Sequence, residues 1–99
     1  MEEKNGWNIY MVTMKNRNIY TGISNNVLKR FDTHCNGKGA KCLRGKGPLK
    51  LSWFSKANYS HGEAASLEYT IKKQTKKVKL QIIKLNVLDV KTFLNGKMK

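Results

Sequence analysis

The sequence predicts one small mixed domain, α/β in content and α+β in arrangement, with three short strands and about three helices. Three observations predict it. The chain has 99 residues, enough for one modest core and too few for two. Its N-terminal part carries two bursts of aromatic and β-branched residues around a short polar connection. From His61 onward, apolar residues recur at helical spacing.

Trp7–Thr13 and Asn18–Ser24 read as strands because β-branched and aromatic side chains suit a pleated, half-buried surface. Met14-Lys15-Asn16-Arg17 makes them a hairpin. A two-residue loop at Lys15-Asn16 would set Tyr10 opposite Thr21 and put Tyr10 and Tyr20 on opposite faces. A three-residue loop, Met14–Asn16, sets Tyr10 directly opposite Tyr20, with Asn16 in the left-handed conformation that Asn tolerates. The second register is preferred.

Asn25-Asn26 offers a helix cap before Val27–Cys35. Val27, Leu28, Phe31 and Cys35 form its apolar arc. Arg30 and His34 lie one turn apart on the edge of that arc, able to point together at something beside the core. Asn36-Gly37 ends the helix. The loop from Gly37 to Pro48 mixes glycine with Lys38, Lys41, Arg44 and Lys46. Glycine lets backbone N–H groups approach an anion, so such a composition suits phosphate contact. Leu49–Phe54 reads as the third strand. A second helix opens at His61-Gly62-Glu63 and runs to about Lys73, with Ala64, Leu67 and Ile71 facing the core. Glu68 falls in the same arc, where a carboxylate is costly unless paired, hydrogen-bonded or metal-bound. Thr75 caps a last helix to about Leu85, with Val78, Ile82 and Leu85 as its stripe. The tail from Asn86 is ambiguous and expected to fray, so the core of the 1–99 domain is placed at about 7–85.

Charge is the strongest compositional signal. Twenty Lys and Arg against six Asp and Glu give a formal charge of +14. A compact body so charged attracts polyanions: nucleic acid first, an anionic surface less commonly. No stretch approaches the ~20 apolar residues of a membrane helix. The polar, acidic start resembles neither a signal nor a transit peptide, so a cytoplasmic setting is expected, nucleoid-associated or in host cytoplasm or nucleus. Cys35 and Cys42 with His34 and the distant His61 match no zinc spacing well.

Carboxylates are scarce. Glu63 and Glu68 are five apart, roughly 140° round a helix, so two-metal chemistry lacks support. One carboxylate with a hydrated Mg²⁺ or Mn²⁺ is the economical alternative. Phosphodiester cleavage further needs an aimed, deprotonated water, stabilised phosphate charge and a neutralised leaving oxygen. Tyr10, Tyr20, Arg30, His34 and Glu68 supply that set. No hydrolase triad is evident.

Asn8-Ile9-Tyr10, then Tyr20-Thr21-Gly22, then Arg30-x3-His34 and a later helical Glu, resembles the GIY-YIG nuclease superfamily. Gly37-Lys38-Gly39-Ala40-Lys41 with Arg44-Gly45 is similar to its compact single-domain members. The resemblance spans roughly Trp7 to Leu85. It implies a three-stranded antiparallel sheet flanked by helices. It also implies roles: Tyr10 as general base or water-positioning group, Tyr20 orienting water or phosphate, Arg30 on the scissile phosphate, His34 assisting proton transfer or orienting Tyr10, and Glu68 holding one divalent metal. Lys41 falls where members place another polar group. Asn8 and Thr21 depart from the motif's Gly and Ile, and Cys42 stands where a tyrosine is frequent. Asn86 matches a late asparagine by order alone.

Three function classes follow: a metal-dependent DNA nuclease for repair, recombination or mobile elements, with a partner protein as one source of specificity; a DNA-binding module without catalysis; and a basic adaptor. Lys72 begins a lysine run that is either a solvated face or a DNA-backbone track.

Overall fold

A computed structural model describes residues 6–97 of the chain. The element order is β1 (Asn8–Thr13), β2 (Ile19–Ser24), α1 (Val27–Cys35), a 3-10 turn (Lys41–Leu43), β3 (Lys50–Phe54), α2 (His61–Lys72), α3 (Lys76–Leu85) and α4 (Val90–Lys97). The strands form one antiparallel sheet in the order β2-β1-β3. Trp7 lies outside β1 and makes an isolated bridge with Tyr59.

β1 is the central strand and is buried on both faces, its residues alternating between two cores. Ile9 and Met11 join Trp53, Ala64, Ile71, Ile82, Val90 and Leu94 on one face. Tyr10 and Val12 pack with Val27 and Leu43 on the other. The first core takes its helical residues from α2, α3 and α4. The second lies under α1 and the 3-10 turn, and it is the face that carries the chemistry.

Each of the first three helices begins where a side-chain oxygen satisfies an otherwise orphaned backbone N–H. Asn26 accepts from Lys29, Ser60 from Glu63 and Thr75 from Val78. α1 ends at Asn36, followed by Gly37 at φ +73°.

The structure corrects several expectations. The hairpin loop is three residues long, but it is Lys15–Arg17, one residue later than expected. Met14 N–H bonds to Asn18 O at 2.8 Å, and Arg17, not Asn16, takes the left-handed conformation at φ 73°. Tyr10 therefore sits opposite Gly22, and Tyr20 opposite Val12. The shift is two residues in pairing, so both tyrosines keep the same face.

In α1, Leu28 is 68% exposed and Cys35 is exposed, whereas His34 is buried. The helix turns Val27 and His34 inward, so the polar residue expected at the rim lies inside. In α3, Ile82 is buried but Leu85, the last helical residue before Asn86 turns left-handed at φ 50°, is 64% exposed. The segment expected to fray is instead α4, whose Val90 and Leu94 enter the core. Asp89 anchors its start: it accepts from Lys91 N–H, Thr92 Oγ1 and, at 2.8 Å, from Tyr59 Oη. Tyr59 Oη in turn accepts from Val90 N–H at 3.1 Å.

Candidate active site

Adjacent strands and one helix bring three rings together. The centroids of Tyr10 and Tyr20 are 6.2 Å apart, Tyr10 and His34 5.9 Å, and Tyr20 and His34 5.5 Å. Tyr10 and Tyr20 meet diagonally across β1 and β2, a separation aromatic rings readily span. Gly22, directly opposite Tyr10, lets the ring lie over its backbone. A Cβ there would stand 2.6 Å from Tyr10 Oη and 2.8 Å from Cζ, closer than atoms pack.

Tyr10 Oη and His34 Nε2 are hydrogen-bonded at 2.7 Å, with both residues almost wholly buried. The other ring nitrogen settles who donates. Ala40 N–H donates to His34 Nδ1 at 3.1 Å. A backbone N–H only donates, so Nδ1 carries no proton and the neutral ring's proton is on Nε2. His34 therefore donates to Tyr10. Burial, and then the neighbouring Arg30 charge, hold the His34 pKa below its ordinary value, which keeps the ring neutral. Burial, reinforced by Tyr20, pushes Tyr10 up to about 12, while the Arg30 guanidinium opposes that rise. At neutral pH Tyr10 is a phenol beside two donors suited to its anion.

Arg30 is exposed and borders a cleft of about 220 Å³ with Ser24, Asn26, Lys29 and Thr33. The cleft has room for a phosphate beside a forked cation. Glu68 is half-buried and ion-paired with Lys72 at 3.0 Å. Lys72 Nζ lies 5.9 Å from the Tyr20 ring centroid, so α2 brings this pair to the Tyr20 side of the ring cluster. The paired carboxylate matches one of the outcomes its core-facing position demanded.

Among the described residues, no three His, Cys, Asp or Glu are grouped to hold a metal ion. One hard carboxylate fits a cation that keeps most of its water, as Mg²⁺ does, and does not fit a closed protein cage. Glu68 meets that condition, in competition with Lys72.

Lys38, Lys41, Arg44 and Lys46 are all exposed on the loop after α1. Buried Leu43 pins that loop, and Lys15 N–H bonds to Lys46 O at 3.0 Å, tying it to the hairpin turn. One backbone donor of this loop goes to His34 and is not free for an anion. Sequence reasoning missed this use of Ala40, and with it Gly39, where a Cβ would stand 2.0 Å from His34 Nδ1. The glycine pattern was visible, but its target was not.

The family profile described as GIY-YIG catalytic domain matches residues 6–81. The chain belongs to the GIY-YIG family. This is a nuclease family. A GIY-YIG domain-containing protein of Invertebrate iridescent virus 6 is 99% identical over 99 residues, covering all of both chains. A UPF0213 protein of Photorhabdus laumondii is 44% identical over 80 residues, covering 81% of this chain and 76% of its own. The solution NMR structure of a UPF0213 protein from Bacillus halodurans superposes with TM-score 0.50 at 34% identity, covering 80% of this chain and 83% of that one.

The departures from the GIY-YIG motif now have physical content. Asn8, in the place of the first glycine, donates from Nδ2 to Ser55 O at 2.9 Å and Ala57 O at 3.1 Å, and approaches Asn58 Oδ1 at 2.9 Å. It clamps the segment after β3 to β1. Thr21, in the place of isoleucine, is 2% exposed and its hydroxyl has no partner. No helix among the described residues is long and apolar enough to cross a membrane.

Proposed function

We propose that this chain is a divalent-metal-dependent endonuclease that hydrolyses DNA phosphodiester bonds, selecting DNA by structure or charge with little sequence specificity. The observation that carries the reading is the buried Tyr10–His34 hydrogen bond with the Arg30 charge beside it. A buried phenol held by an imidazole N–H and faced by a guanidinium is costly to build and has a use where a proton must be moved beside a phosphate.

In this reading His34 fixes the orientation of Tyr10 Oη and leaves the phenol's own proton free to point at a water or a phosphate oxygen. Tyr10 positions the attacking water. Its ionised form is favoured by the His34 N–H and by Arg30 once a proton departs. Arg30 takes the scissile phosphate in the cleft it borders, and Tyr20 orients water or phosphate from the neighbouring strand. Glu68 holds a hydrated Mg²⁺ or Mn²⁺, which when bound supplies positive charge for the leaving oxygen. Lys38, Lys41, Arg44, Lys46 and Lys72 contact the DNA backbone, and a partner protein is one source of added selectivity. Repair, recombination and mobile-element intermediates are the substrates such a specificity suits.

The test is cleavage of labelled single-stranded, nicked, flapped, branched and duplex DNA with Mg²⁺ or Mn²⁺. Tyr10→Phe should lower the rate by about 10²–10⁴ with binding retained, and Glu68→Ala should abolish the metal dependence. Binding without cutting in every condition would favour a DNA-binding module. No binding at low salt would sink the DNA reading.

A further inference from the structure

We infer that Gly39 and Ala40 are positioning residues that lock the tautomer of His34, and through it the donor–acceptor direction at Tyr10. The inference rests on the nuclease reading only for its kinetic consequence; the lock itself is a property of the folded chain.

The argument starts from α1. His34 sits in its last turn with its ring buried against Tyr10 and Tyr20. A buried neutral imidazole has two tautomers, and the one present is set by what the two nitrogens meet. Toward the sheet, Nε2 meets the Tyr10 hydroxyl, which can donate or accept, so this side imposes no choice. Toward the loop, Nδ1 meets the Ala40 N–H, which has no lone pair to offer. A proton on Nδ1 would face a donor and leave both groups unsatisfied in a buried place, a cost of several-fold to hundreds-fold in population. The loop therefore decides, and Tyr10 is made the acceptor.

The approach that permits this needs Gly39. The ideal Cβ at that position would lie 2.0 Å from Nδ1, 2.8 Å from Cε1 and 2.9 Å from Cγ. Those contacts are with the ring itself, which is confined between the loop and two tyrosines. Leu43, 2% exposed, anchors the following turn, and Lys38 N–H bonds to Thr33 O at 3.1 Å before it. The segment is thus pinned on both sides of the donor. Glycine in this loop serves the approach of a side chain to backbone, and the loop is an arm of the ring cluster.

The direction matters for the reaction. With Nε2 protonated, the Tyr10 proton is directed away from His34 and toward substrate. With Nδ1 protonated, Tyr10 would instead donate to Nε2, and its proton would point inward. The lock selects the first arrangement before substrate arrives, which is preorganisation of a reacting hydroxyl.

The experiment is nitrogen NMR on the full chain labelled at histidine and backbone. The expected result is His34 Nδ1 resonating as an unprotonated ring nitrogen, Nε2 as a protonated one, and a scalar coupling across the hydrogen bond from the Ala40 amide nitrogen to Nδ1. Gly39→Ala should erase that coupling, mix the tautomers and lower kcat at least tenfold, with DNA affinity changed less than threefold. Ala40→Pro is the second variant: Ala40 has φ −56°, which proline adopts, and the change removes the donor. It should lower kcat likewise, with the signature of a folded chain. A wild-type His34 protonated on Nδ1, or a missing coupling, would overturn the lock. So would a Gly39→Ala protein that keeps both the coupling and the wild-type tautomer. Wild-type protein that shows the coupling but cuts no DNA would refute the nuclease reading and leave the lock standing.

Discussion

Tyr10 is held from three sides, and each contact makes its own demand on sequence. Its ring needs an opposite residue without a side chain, which is Gly22. Gly22→Ala should cost about 1–3 kcal/mol by overpacking and displace Oη from His34, so thermal unfolding and cleavage should both fall. Beside it, Thr21 buries a hydroxyl that bonds to nothing. An unsatisfied buried polar group costs about 1–3 kcal/mol, and valine has nearly the same shape. Thr21→Val should therefore raise the denaturant midpoint, with the cleavage rate unchanged because the side chain faces away from the rings. His34 adds a pH dependence. Its folded pKa lies below the ordinary 6.5, so the unfolded chain binds its proton first as pH falls. Stability from this group is complete above pH 6.5 and is lost as pH drops from there toward the depressed folded value. Denaturant titrations from pH 8 to 5 should show that loss, and His34→Gln should remove it.

At the level of elements, most of what local chemistry dictates was readable. The caps at Asn26 and Thr75, the strands, and the helical stripe Ala64–Ile71 follow from propensity, capping and period. What failed needed partners that no local pattern names. The hairpin register turned on which residue took the left-handed position, and Arg17 did so where Asn16 was the better local candidate. In α1, an apolar-count arc put Leu28 inside and His34 at the rim. The site reverses them, and His34 satisfies both ring nitrogens where it lies while Leu28 stays 68% exposed. Of the candidate site, the three rings that the structure brings together, Tyr10, Tyr20 and His34, are among the side chains the sequence singles out, but the backbone donor of Ala40 is not, since every residue except proline has one. α4 was missed because its first turn is anchored by Asp89 to a tyrosine thirty-one residues before Val90. Its worth is testable: Leu94→Ala should cost about 2–5 kcal/mol, visible as a large drop in the unfolding midpoint. An inert tail would show no change.

The whole molecule combines a small body with a large charge. With a Cα radius of gyration of 13.2 Å and +14 charges, its field alone should bring it to any polyanion. Affinity for DNA should then fall linearly in log–log form with salt. If six to ten phosphates are neutralised, the loss is about 10³–10⁵ between 50 and 200 mM. Replacing Lys38, Lys41, Arg44 and Lys46 by Ala should flatten the slope by roughly 0.9 per lost contact. An unchanged slope would remove the loop from the binding surface.

The first core also has a calendar. Ile9 and Met11 are made well before Val90 and Leu94, which help to cover them. At a synthesis rate of about 5–20 residues per second, the interval between them is on the order of ten seconds. During that time Ala64, Ile71 and Ile82 can cover part of the apolar sheet face, but the core is complete only when Val90 and Leu94 have joined it. A stalled chain ending before Val90 should be the form that chaperones hold and proteases remove.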